Sequence, residues 1–166
     1  RNDWSTSRPV FCRLWRQNPS HPLCGWSLTF RILMEKHLEI MGKIVSGAGE
    51  GVYFTQIDWV QQQCHQKLGF KPYPGTLNLE VACDSLSIIT TLDQETGVEL
   101  ISPDPKFCNA KAFPVRLGKI NAAIIQPEEK VRIHAENIIE IIAPLNIKAA
   151  LNVNDGASLN IILLEE

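Results

Sequence analysis

From Gly42 onward, glycine and proline signals cut the chain into short runs. The breaks fall at Gly47, Gly49 and Gly51, at Pro72, Pro74 and Gly75, and then at Gly97, Gly118, Pro144 and Asp155-Gly156. Glycine reaches backbone conformations closed to other residues and proline fixes φ, so such clusters mark turns. Between them, GKIVS (42–46) and VYFTQ (52–56) read as two short strands around a glycine loop. Ile57, Val60, Cys64 and Leu68 then fall at helical spacing before Gly69. TLNLEV alternates, with Leu77, Leu79 and Val81 on one face and Thr76, Asn78 and Glu80 on the other. Residues 84–97 read as a short helix or irregular segment ending at Gly97, and VELI as a short strand. CNAKAFPVRL and INAAIIQP form a hairpin around Gly118. ENIIEIIAP is an apolar run stopped by Pro144, NIKAALN one or two helical turns, and DGASLNIILL a turn followed by a closing strand. Many short strands, few helices and no βαβ rhythm predict a mainly β chain with short helices, folded as a small β-barrel.

The 166 residues suit one compact domain, and no apolar run approaches the ~20 residues of a membrane span. Charge is unevenly placed. Residues 1–33 hold five arginines against one aspartate, +4; residues 34–166 hold eleven basic against seventeen acidic side chains, −6. An acidic body argues against sequence-independent nucleic-acid binding, which relies on Lys and Arg neutralising phosphates. Cys12, Cys24, Cys64, Cys83 and Cys108 are odd in number and lack zinc-ligand spacing, as expected of reduced cysteines in a cytoplasmic protein. Residues 1–33 carry three of the four tryptophans, no glutamate and no useful periodicity. They read as an extension outside the domain, which begins naturally at Met34 or Met41; no secretory signal is arranged there.

Three stretches could carry chemistry. In SGAGEG, backbone N–H groups could converge on an anion, but no GKS or GKT follows, and a tight hairpin explains the glycines equally well. Glu50 would repel a phosphate, so it faces a hydroxyl, an amine, a metal-bound water or only solvent. In PYPGTLNLEV, Thr76 and Asn78 share a strand face. A hydroxyl and an amide oxygen are an acceptable neutral pair for a hard cation when substrate phosphates supply the charge. Otherwise they are a polar outer face. In NIIEIIAPLNIK, Glu140 shares a face with Ile138 and Ile142 if the run is extended, as would suit a general base; if helical it is only solvated. His65 and His134 are isolated, and Asp155-Gly156 reads as a structural turn.

Taken in order, GKIVSGAGEGVYF, LGFKPYPGTLNLEV, KAFPVRL, AAIIQP and IIEIIAPLNIKAALNVNDGASLNI resemble the archaeal-type CTP-dependent riboflavin kinases over residues 34–166. The resemblance implies a six-stranded cradle-loop barrel that moves the γ-phosphate of CTP to the 5′-hydroxyl of riboflavin. The products are FMN and CDP, and Mg²⁺ is the cofactor. It implies nucleotide binding by Gly47, Ala48, Gly49, Glu50, Gly51 and Val52, and by Leu145, Asn146, Ile147 and Lys148. It further implies Thr76 and Asn78 as metal ligands and Glu140 as a flavin-contacting carboxylate and candidate base. The partners implied are the small molecules riboflavin and CTP, with no nucleic acid or membrane and a monomer favoured. The sequence departs from the pattern at Val52, often basic in relatives, and at Asn146 and Lys148, often Lys and Arg. A flavin-contacting threonine is unmatched; Arg132 or Ile133 falls nearest, and neither is given a role. The alternative is a flavin- or nucleotide-binding sensor without turnover.

Overall fold

A computed structural model describes residues 38–47, 49–128 and 137–164. Among these residues seven strands form the body: β1 (Leu38–Val45), β2 (Leu77–Val81), β3 (Val98–Leu100), β4 (Ala110–Leu117), β5 (Ile120–Pro127), β6 (Ile138–Ile142) and β7 (Ser158–Leu163). Among the described residues four short α-helices accompany them: α1 (Gly51–Gln56), α2 (Asp58–Leu68), α3 (Leu86–Gln94) and α4 (Ile147–Leu151). All strand pairs are antiparallel, and β1–β2–β6–β5–β4–β7 closes on itself into a six-stranded barrel. The predicted fold class is therefore the observed one. Among the described residues no helix is long and apolar enough to cross a membrane.

Closure happens on one edge of β4. Its first half pairs with β3 (Ala112 with Val98, Ala110 with Leu100), and its second half with β7 (Val115 with Leu163, Arg116 with Ile162). Pro114 stands at the changeover, its carbonyl accepting from Leu164 N at 3.0 Å. Proline cannot donate to a ladder, so it is tolerated where one neighbour has ended and the next begins.

The alternation expected for β2 places Leu77, Leu79 and Val81 inside the barrel. They meet Ile40 and Ile44 of β1, Ile139 and Ile141 of β6, and Ile161 of β7. Ile89 and Leu92 of α3 join this interior, so the helical reading of the 84–97 segment holds over Leu86–Gln94. A second apolar layer lies outside the wall. There Val60 and Cys64 of α2 pack on Leu100, Ala110, Ala112, Ala123, Ile125 and Ile142. Burial pushes the Cys64 thiol up to about 11, as befits a packing residue rather than a nucleophile. The free edge of β3 is covered by α2: Lys67 Nζ donates to Glu99 O (2.6 Å), and Gln63 bonds both backbone groups of Ile101. Covering an edge in this way blocks strand addition.

One expectation fails. VYFTQ is not a strand: it lies within helix α1, which begins straight after the loop. Alternation in VYFTQ mimics a strand, but both edges of β1 are already taken by β2 and β7. A returning hairpin strand would have nothing to pair with, and Phe54 packs instead into the outer layer. The hairpin around Gly118 and the closing strand stand as read.

Leu79 is 0% exposed at the centre of β2. Leu79→Ala is expected to cost about 2–5 kcal/mol, read as a lower denaturant midpoint at unchanged slope. A loss below about 1 kcal/mol would contradict a barrel interior that carries the core.

Candidate functional site

The register of the sheet builds the site. Asn78 on β2 is paired with Val45 on one side and Glu140 on the other, and Glu140 is paired with Ile125. These four residues form a row across four strands. Residues paired across antiparallel strands share a face, and Leu77, Leu79, Ile139 and Ile141 occupy the interior. Asn78 and Glu140 therefore belong to the outer face of the barrel wall, with Glu140 in the extended setting.

An outward polar residue is ordinarily wet, yet Asn78 is only 7% exposed. The glycine loop covers it. A Cβ on Gly47 would stand 2.0 Å from Asn78 Nδ2, and one on Gly51 would stand 2.3 Å from Thr76 Oγ1. Only glycine permits backbone this close, and Gly49 between them has φ +85°, a conformation that other residues rarely adopt. The loop and the hydroxyl–amide pair, predicted separately, thus lie in contact. Asn78 Oδ1 is buried beneath the loop without a hydrogen-bond partner. A buried lone acceptor is costly, so this oxygen is suited to a ligand the protein itself does not supply. Among the described residues no group of three or more His, Cys, Asp or Glu side chains could hold a metal. Thr76 and Asn78 remain a neutral oxygen pair of the kind a hard cation accepts.

The second predicted segment is tied to the same loop. Asn146 Oδ1 accepts from Ala149 N at 3.1 Å and caps α4. Ile147 is buried in the barrel interior, so its side chain faces the core, while Leu145 and Lys148 stay accessible. Lys148 Nζ bonds Asp155 Oδ1, and Asp155 Oδ2 accepts from Ser46 Oγ at 2.7 Å. Asp155 therefore clasps the 145–148 turn to the residue preceding Gly47. Sequence reasoning took Asp155-Gly156 for a turn alone; the turn is present, and the clasp is added to it. The Lys148 hydrogen bond, and then that of Ser46, hold the Asp155 carboxyl below its ordinary value.

Beside the loop lies a cavity of about 500 Å³, a size that suits a small-molecule ligand. Tyr53, Trp59 and Phe107 supply aromatic wall, and Glu50, Asn109 and Glu140 supply polar groups. The Tyr53 and Phe107 rings are stacked 6.4 Å apart at 27°, and Tyr53 is largely exposed at the mouth. Glu140 serves both halves of the site: it is Asn78's neighbour in the sheet and part of the cavity wall. Glu50 lines the same cavity. Val52 is exposed on α1. Ala48, Arg132, Ile133 and His134 lie outside the described residues. His65 is exposed on α2, off the site. The aromatic walls escaped sequence reasoning, because Tyr53 sat in a segment read as a strand and Phe107 in an unassigned turn.

The site is thus a glycine loop folded onto a hydroxyl–amide pair, beside an aromatic-walled cavity on a closed six-stranded β-barrel. The family model described as "CTP-dep_RFKase: Domain of unknown function DUF120" matches residues 44–163, and the chain belongs to this family, the CTP-dependent riboflavin kinase domain. The riboflavin kinase of Archaeoglobus fulgidus is 36% identical over 125 residues, covering 74% of this chain and 53% of that protein. That of Methanosarcina barkeri is 37% identical over 123 residues, 72% of this chain and 53% of the relative. That of Saccharolobus solfataricus is 34% identical over 144 residues, 83% and 81%. The chain thus spans about half the length of the first two relatives.

The lowered Asp155 pKa carries a sign. A carboxyl depressed by folding adds stability above its unfolded value, and that stability is lost as pH falls through the folded value. The melting-temperature difference between the parent chain and Asp155→Asn should therefore be largest near neutrality and shrink below the ordinary carboxylate range. A difference that stays constant down the acid titration would show that Asp155 ionisation does not hold the clasp.

Proposed function

We propose that this domain transfers the γ-phosphate of CTP to the 5′-hydroxyl of riboflavin, giving FMN and CDP. The observation that carries the reading is the contact between the glycine loop and the Thr76–Asn78 pair. It leaves one amide oxygen unpaired next to a cavity of flavin-compatible size, and Glu140 lies at the junction. Family membership and the riboflavin kinase names of the relatives support it.

Phosphoryl transfer asks a protein for positioning and charge neutralisation more than for covalent chemistry. Thr76 Oγ1 and Asn78 Oδ1 would hold Mg²⁺, which when bound offsets charge on phosphate oxygens. Backbone N–H groups of the loop from Gly47 to Gly51, with Val52 after it, would bind the triphosphate. The 145–148 turn would form the other side of the nucleotide site, through Leu145, Asn146, Lys148 and the backbone of Ile147. Tyr53 and Phe107 would cover the flat isoalloxazine ring. Glu140 would bind the ribityl chain and accept the 5′-hydroxyl proton. The hydroxyl oxygen then bonds to the γ-phosphorus, the bond to the β-phosphate oxygen breaks, and CDP leaves. The same reading expects a monomeric cytoplasmic enzyme acting on small molecules, with the domain beginning near Met34.

The test is FMN formation from riboflavin with CTP and, in parallel, with ATP. CTP should be the better donor. Asn78→Ala should lower turnover by ~10²–10³ while the circular dichroism spectrum is unchanged. Full activity of that variant with Mg²⁺ present would remove the metal assignment, and flavin binding without turnover in the parent chain would favour a sensor. Tyr53→Ala should weaken riboflavin binding by about 1 kcal/mol, roughly five-fold, in a fluorescence titration. Unchanged affinity would take the ring out of the Tyr53–Phe107 wall.

A further inference from the structure

Thr55 is fully buried on α1, a polar residue at 0% exposure. Its Oγ1 donates to Gly51 O at 2.7 Å, with Val52 O also in reach at 3.2 Å. A threonine hydroxyl commonly bonds back to a carbonyl one turn earlier in its own helix. The second bond is not local: Gly75 N donates to the same Oγ1 at 2.8 Å, from 20 residues along the chain. One hydroxyl therefore grips the last glycine of the loop and the residue immediately before Thr76. Gln61 of α2 reinforces the join, its Nε2 donating to Thr55 O and, at 2.9 Å, to Pro72 O in the PYPG turn.

The two gripped residues flank one of the two closest approaches between the loop and the hydroxyl–amide pair. Gly51 is so near Thr76 Oγ1 that a Cβ there would stand 2.3 Å away. The separation of loop backbone and Thr76 hydroxyl is thus set where Thr55 holds Gly51 and Gly75. We propose that Thr55 is a positioning residue for the nucleotide half of the site. It fixes the loop and the Thr76 hydroxyl at the spacing in which they bind a divalent cation and a nucleoside triphosphate together. The proposal rests on the functional reading above. Thr55 itself touches neither ligand. Valine copies its shape without donor or acceptor, while serine keeps both and loses one methyl.

The experiment is calorimetric titration of Mg²⁺–CTP into the full chain, without riboflavin, for the parent, Thr55→Val and Thr55→Ser. Riboflavin affinity is measured alongside by fluorescence quenching. Thr55→Val should weaken Mg²⁺–CTP binding by about ten-fold or more, with riboflavin affinity kept within about two-fold, and Thr55→Ser should stay within about three-fold of the parent for both. Parent-like nucleotide affinity in Thr55→Val overturns the proposal. So does an equal loss in the valine and serine variants, which would assign the effect to the methyl group. If Thr55→Val does not fold, Gln61→Leu gives the decision: weaker Mg²⁺–CTP binding with riboflavin unchanged supports the join, and no change in either refutes it. A parent chain that binds riboflavin but no Mg²⁺–CTP refutes the kinase reading itself and takes this proposal with it.

Discussion

The backbone of the loop between β1 and α1 rests on the side chains of Thr76 and Asn78, and the rest of the site is arranged around that contact. It needs glycine at positions 47 and 51, where a side chain would collide with the pair beneath. It buries Asn78 on a face of the sheet that would otherwise be wet, and it separates Asn78 Oδ1 from water. It also directs the chain into α1, so that Gly51 and Tyr53 line the cavity together with Glu140. A more ordinary hairpin at this place would have produced none of these.

Two tethers keep the loop where it is, and they act at opposite ends. Ser46, before Gly47, is bonded to Asp155, which also holds Lys148. Gly51, at the far end, is bonded to Thr55, which also holds Gly75. The middle of the loop, around Gly49, is left in open space on the side where a Cβ would stand. Pinned ends and a clear centre suit backbone that must approach a ligand closely without being free to wander, since ordering a loop on binding would cost affinity.

What could be read from the sequence was what local rules determine. The Gly118 hairpin, the inward face of β2 and the stop at Pro144 all follow from turn chemistry and two-residue alternation, and all are present. VYFTQ was misread because alternation reports a pattern of side chains and not whether a strand edge is vacant. That edge was taken by β7, which is more than a hundred residues away in the chain. The same limit hid the row Val45–Asn78–Glu140–Ile125, which exists only through registers between distant strands. Thr76 and Asn78 were legible as neighbours on one strand face, and the pairing of Asn78 with Glu140 was not. Thr55 carried no signal at all, because a threonine in an apparent strand is unremarkable until its two partners are known.

The charge of the site constrains what can enter it. The body of the chain sums to −6, so its long-range field does not draw a polyanion inward. At the loop itself the donors are backbone amides, a hydroxyl and an amide, all neutral. Lys148 is the cation nearest to hand in the proposed nucleotide segment, and it is already bonded to Asp155. On the proposed reading, then, a bare triphosphate would arrive with more negative charge than these groups offset. A triphosphate already carrying its divalent cation arrives with two of those charges cancelled, and brings to Asn78 Oδ1 the partner it lacks. On that same reading, the metal–nucleotide complex suits these neutral donors better than the bare triphosphate does.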